Sequence, residues 1–147
     1  MTDALAADVS EGQSIGMAVS NGMVKLYKEK FGRGPTKART HFAGPDTVVA
    51  TLQDSLTPAE RTLVALGERQ RLRDIRMFFQ YATESEFRAV VEEATGRKVW
   101  AFVSGIDVER DVSSEIFYLE PQAHQAGGPP HRDGGPPHRD GGPPTIS

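Results

Sequence analysis

The residues with the plainest capacity for chemistry are crowded into one stretch, KLYKEKFGRGPTKARTH, at positions 25–41. Lys25, Lys28, Lys30, Arg33, Lys37 and Arg39 stand there against the single Glu29, in a chain whose net charge is -3. A glycine-rich loop flanked by guanidinium and ammonium groups offers both backbone N–H groups and cations to a phosphate or carboxylate. Arg33, Lys37, Arg39 and His41 are therefore the candidate anion-binding residues, and the alternation of an extended strand puts Lys37, Arg39 and His41 on one face. The stretch is not a P-loop: GxxxxGK[ST] is absent, and the loop leaves a helix where a P-loop opens one. A plainer reading competes, because lysines in the last turn of a helix offset its dipole, and Lys28 and Lys30 have that structural reason to be where they are.

Other chemistry is sparse. The absence of cysteine removes thiol catalysis, thiolate metal sites and disulfides together, which fits a reducing compartment. Three of the four histidines, His124, His131 and His138, lie near the C-terminus, so no zinc site or His-based triad assembles within a core. Asp107, Glu109 and Asp111 echo the alternating ligands of a calcium loop but lack its glycine and its twelfth-position acid. Ser104 has no nucleophile-elbow context, and Glu92 and Glu93 read as a solvated helix face. No catalytic residue, metal or cofactor is expected. Nucleic acid is a poor partner for an acidic chain without a recognisable binding motif. No segment reaches the roughly 20 apolar residues of a membrane-spanning helix, so a cytoplasmic protein with no direct membrane insertion is expected.

The elements that must position these residues follow from periodicity and punctuation. Residues 1–12 read as a flexible acidic leader, residues 13–121 as one α+β domain, and residues 122–147 as a disordered Gly/Pro tail carrying the repeat GGPPHRD. Ile15, Val19, Met23, Leu26 and Tyr27 form the stripe of a first helix that ends near Phe31. KARTHFA and TVVATLQ make a hairpin around Gly44, Pro45 and Asp46, with Val48, Ala50 and Leu52 on its buried side. LTPAE starts a helix, with Thr57 as N-cap, Pro58 at the first position and Glu60 returning a bond to the cap. That long helix bends or breaks near Gly67, shows an apolar side of Leu72, Ile75, Phe79, Ala82, Phe87, Val90 and Ala94, and closes at Gly96. A second hairpin follows, in which Val99, Ala101 and Val103 oppose Trp100, Phe102 and Ile106. A strand apolar on both sides is covered twice, so the second face of the four-stranded sheet is expected under the first helix or under a partner chain, and a homodimer is the expectation.

The motifs FGRGP, LTPAE and TGRKV, in that order and spacing, resemble the MpsC-like family, named for a sodium-translocating, membrane-potential-generating system. The resemblance covers about residues 15–120; the leader, the tail and the aromatic run RMFFQY at 76–81 depart from it. It implies a small bacterial cytosolic protein, non-catalytic, acting as an accessory or regulatory module of a membrane ion or inorganic-carbon transport system. A small-anion or nucleotide-binding sensor using residues 25–41 is the alternative, and an uncharacterised enzyme acting on an anionic substrate is a further one.

Overall fold

In the computed structural model, residues 2–122 are described, with their side chains from residue 11 onward. The order is α1 (Thr2–Phe31), β1 (Lys37–Phe42), β2 (Thr47–Gln53), α2 (Pro58–Ala65), α3 (Arg69–Ala82), α4 (Glu84–Thr95), β3 (Val99–Asp107) and β4 (Val112–Leu119). The strands form one antiparallel sheet in the order β1-β2-β4-β3, with helices packed on it: the expected α+β arrangement. Two boundaries differ from expectation. Helix α1 continues through residues 2–12, the stretch read as a leader, and the long helix is interrupted twice, at Gly67 and again at Thr83. The tail from residue 123, with its repeats, lies outside the described residues.

Local chemistry accounts for the junctions. Gly32 closes α1 in the left-handed conformation (φ 82°), its N–H bonded to the Lys28 carbonyl at 2.9 Å. Thr57 and Glu60 form a reciprocal capping box at α2, with bonds of 2.8 and 3.2 Å. Gly96 ends α4 at φ 70°. Where α1 crosses α4, a Cβ on Gly22 would stand 2.5 Å from a Val90 methyl, so only glycine permits that approach.

The core lies between α1, α4 and one sheet face: Val19, Met23 and Tyr27 pack with Phe87 and Val91 against Val48, Ala50, Leu52, Phe102, Phe117 and Leu119. A smaller cluster, Leu56, Leu72 and Val108 with Leu63, Val64 and Ile106, sits beneath α2 and α3. The alternation expected for β3 is broken by a bulge between Val99 and Ala101. Val99 and Phe102 consequently both face the core, Ile106 joins the smaller cluster, and Trp100 and Val103 are turned outward, 61% and 46% exposed.

Candidate functional site

The four candidate anion-binding residues separate into two groups. Arg33 clasps the β2–α2 turn: its guanidinium donates to the carbonyls of Asp54 and Leu56 and pairs with the Asp54 carboxylate at 3.1 Å. Arg61 bonds the same carboxylate and approaches Asp111 at 3.4 Å, while Asp111 accepts the backbone N–H groups of Ser55 and Leu56 at 2.9 and 3.1 Å. Hydrogen bonds from Thr36, Arg61 and Arg33 hold the Asp54 carboxyl down at about 2. Lys37, Arg39 and His41, by contrast, share the exposed side of β1, as strand alternation requires. Lys37 and Arg39 line a shallow dent of about 200 Å³ with Thr51 and Gln53. Arg39 and His41 also border an open trough of about 910 Å³ against Gly16, Met17 and Ser20 of α1.

Helix α3 carries the least expected arrangement. Leu72 is buried as its periodicity requires, but the next positions turned inward are Arg76 and Gln80, and Ile75, Phe78, Phe79 and Ala82 are turned out. The expectation that Ile75, Phe79 and Ala82 face the core is thus overturned, and Phe78 is 69% exposed. The inner side of α3 is satisfied by polar partners instead. Arg76, 1% exposed, donates to Glu60 at 2.6 and 2.8 Å and to the Ser55 carbonyl at 3.1 Å, and its guanidinium stacks 3.7 Å from the Phe31 ring centre. Gln80 donates to the Tyr27 hydroxyl at 2.7 Å and to the Glu115 carboxylate.

Glu115, on the central strand β4, is the deepest acid among the described residues, and Tyr27 donates to it at 2.6 Å. Burial pushes the Glu115 carboxyl up to about 7, against the opposing pull of hydrogen bonds from Tyr27, Ser104 and Gln80 and of the Arg76 charge. Burial and the neighbouring Glu115 charge likewise drive the Tyr27 hydroxyl well above its ordinary range. Burial also disfavours the charge on Glu60, but the hydrogen bonds from Arg76 and Thr57 outweigh it and lower that carboxyl. Arg76, Gln80 and Glu115 are each 2% exposed or less, which suits a structural polar core. Its members were missed in the sequence because Arg76, Gln80 and Glu115 sit among apolar neighbours that periodicity assigns to the core.

Among the described residues no helix packs on the opposite sheet face. Rows run across it from β1 to β3: Lys37, Gln53, Val112, Asp107; then Arg39, Thr51, Ser114, Gly105; then His41, Val49, Ile116, Val103. Tyr118 and Trp100 close the far end, their rings 6.0 Å apart. Of the two covers expected for this face, the first helix or a partner chain, α1 is excluded, since it packs on the same side as α4.

The family described as Na+-translocating membrane potential-generating system (MpsC) matches residues 12–121. The chain belongs to the MpsC family. No curated protein and no solved structure matches it. In this MpsC chain the motif FGRGP forms the α1–β1 link, LTPAE the cap of α2, and TGRKV the α4–β3 link, so each serves a junction of the fold. Among the described residues no group of three His, Asp or Glu side chains is placed to hold a metal, and no helix is long and apolar enough to cross a membrane.

Proposed function

We propose that this MpsC chain is a non-catalytic accessory module of a membrane-potential-generating transport system, a cytoplasmic homodimer that docks on a protein of that system through the outward side of α3. The observation that carries the reading is the inversion of that helix. Ile75, Phe78, Phe79 and Ala82 follow the i, i+3, i+4, i+7 spacing of a buried stripe yet lie at the surface. The exposed Arg71 and Arg73 flank the stripe, which selects an apolar segment bordered by acidic side chains. Such a patch is the anatomy of a protein contact, an apolar centre with a charged rim. The test is sodium-driven potential, read with a voltage-sensitive dye in membrane vesicles from cells lacking this chain. Added wild-type protein restores it and Phe78→Asp does not; equal restoration by both overturns the reading.

A second reading, a small-anion sensor, draws on the dent beside Lys37 and Arg39. At about 200 Å³ it suits an ion the size of phosphate or bicarbonate and falls below the ~300–1,000 Å³ of organic-ligand sites. A thermal shift with phosphate, lost in Lys37→Ala/Arg39→Ala, supports it; no shift at millimolar phosphate removes it.

A further inference from the structure

We infer that the uncovered sheet face is the homodimer interface, packed against the same face of a second copy about a twofold axis running along the strands. This rests on the homodimeric reading above and specifies its geometry.

The edges of the sheet are poorer sites for strand addition than its face. On β3 backbone groups at two residues are taken by side chains: the Ser104 N–H donates to the Tyr81 hydroxyl at 2.8 Å, the Val99 N–H to Glu92 at 2.9 Å, and Arg88 donates to the Val99 carbonyl at 3.0 Å. On β1, Lys37 and Arg39 would confront like charges if two copies paired edge to edge. The face remains. Its middle row, Val49, Ile116 and Val103, is apolar, and with Trp100 and Tyr118 it leaves one side of a four-stranded sheet facing water.

Charge and shape on this face select the axis. The cations lie along β1 and Asp107 lies on β3, at opposite ends of one row. A twofold axis across the strands would lay β1 on β1 and bring cations together. An axis along the strands lays β1 over the partner's β3 at constant row, so that Lys37 meets the partner's Asp107, twice by symmetry. In the next row Arg39 meets the partner's Gly105, where a Cβ would find nothing within 4 Å and a long side chain has room. In the third, Val49 meets the partner's Ile116, an apolar patch two rows from the paired charges, and Val103 meets the partner's His41. Sheets stacked this way align within about 30° and sit about 10 Å apart. Four strands and seven residues make a face of roughly 20 Å by 20 Å. Its side chains expose more than that projection, which puts the dimer near the lower end of the ~1,200–2,000 Å² of specific interfaces.

Sedimentation velocity of the full chain from about 1 to 100 μM tests the interface, with Val103→Lys, which sets a cation against the partner's His41 and Arg39, and with Lys37→Asp, Asp107→Lys and the double exchange Lys37→Asp/Asp107→Lys. All three positions lie on the surface, so circular dichroism and melting should match wild type. The expected result is a wild-type dimer, loss of dimer in Val103→Lys, dissociation constants raised about tenfold or more in each single charge variant, and recovery in the double exchange. A wild-type monomer throughout overturns both the homodimer and this interface. A dimer indifferent to Val103→Lys and to the charge variants overturns the interface and leaves the homodimer standing.

Discussion

The Tyr27 hydroxyl donates to the Glu115 carboxylate across 2.6 Å, with both side chains fully withdrawn from water. Because burial raises the Glu115 carboxyl from its ordinary 4.5 to about 7, the folded protein binds a proton there that the unfolded chain has released. Stability from this group is therefore fully present below about pH 4.5 and is lost as pH rises through about 7, by on the order of 3 kcal/mol. Denaturant titrations at pH 5 and pH 8, compared with Glu115→Gln, isolate it: wild type loses stability relative to the variant at the higher pH. A wild type that gains on the variant over that interval contradicts the assignment.

Arg76 and Glu60 form the second buried pair, and they are not independent of the fold's punctuation, because Glu60 also caps α2. Arg76→Ala strands a carboxylate and should cost about 3–5 kcal/mol. The double replacement Arg76→Met/Glu60→Gln, which removes both charges while keeping volume and the cap, should recover much of that loss in urea unfolding. Equal damage from single and double variants would mean that packing against Phe31, and not the charge pair, is what Arg76 supplies.

The inversion of α3 reverses the ordinary ranking of substitutions. Phe78→Asp should leave urea stability within ~0.5 kcal/mol, as surface changes do. Leu72→Asp, one and a half turns earlier on the buried side, should prevent folding by placing an unpaired charge in the small cluster. If Phe78→Asp unfolds the chain, the outward stripe is core and the docking surface vanishes with it.

Gly22→Ala places its methyl 2.5 Å from Val90, and the α1–α4 contact must open or Val90 must turn. Overpacking of this kind costs about 1–3 kcal/mol. Val90→Ala in the same chain should restore most of it, and the melting temperatures of the single and double variants decide the matter.

Arg33 and Arg39 sit six residues apart and should behave as different classes of residue. Arg33→Ala releases two backbone carbonyls and part of the Asp54 cluster, a loss of about 1–2 kcal/mol in denaturant unfolding. Arg39→Ala should be neutral in a dilute, monomeric sample. Equal melting temperatures for Arg33→Ala and wild type would show the clasp to be incidental.

Much of the fold was legible because its junctions are written in single residues. Thr57, Pro58 and Glu60 announce α2, Gly96 ends α4, and Val48, Ala50 and Leu52 alternate into the core as strand periodicity dictates. The second break, at Thr83, has no glycine or proline to mark it. The face of α3 was misread for a physical reason: periodicity ranks residues by their own transfer energies, whereas Arg76 and Gln80 are buried because Glu60, Ser55, Tyr27 and Glu115 receive them. Partners separated by up to 53 positions leave no local trace. At the candidate site, strand alternation placed Lys37, Arg39 and His41 together correctly, but it had no means of separating Arg33, whose partner Asp54 lies across a hairpin.

The caps that Tyr81, Arg88 and Glu92 place on β3 have a consequence for the lifetime of the protein at high concentration. A fibril grows by adding chains to a strand border, and the β3 border is freed of these bonds only when α3 and α4 lift away. Deposition through β3 would then follow the rate of that opening rather than the abundance of native molecules. Tyr81→Phe, which frees one N–H without touching the core, should shorten the lag before thioflavin fluorescence appears.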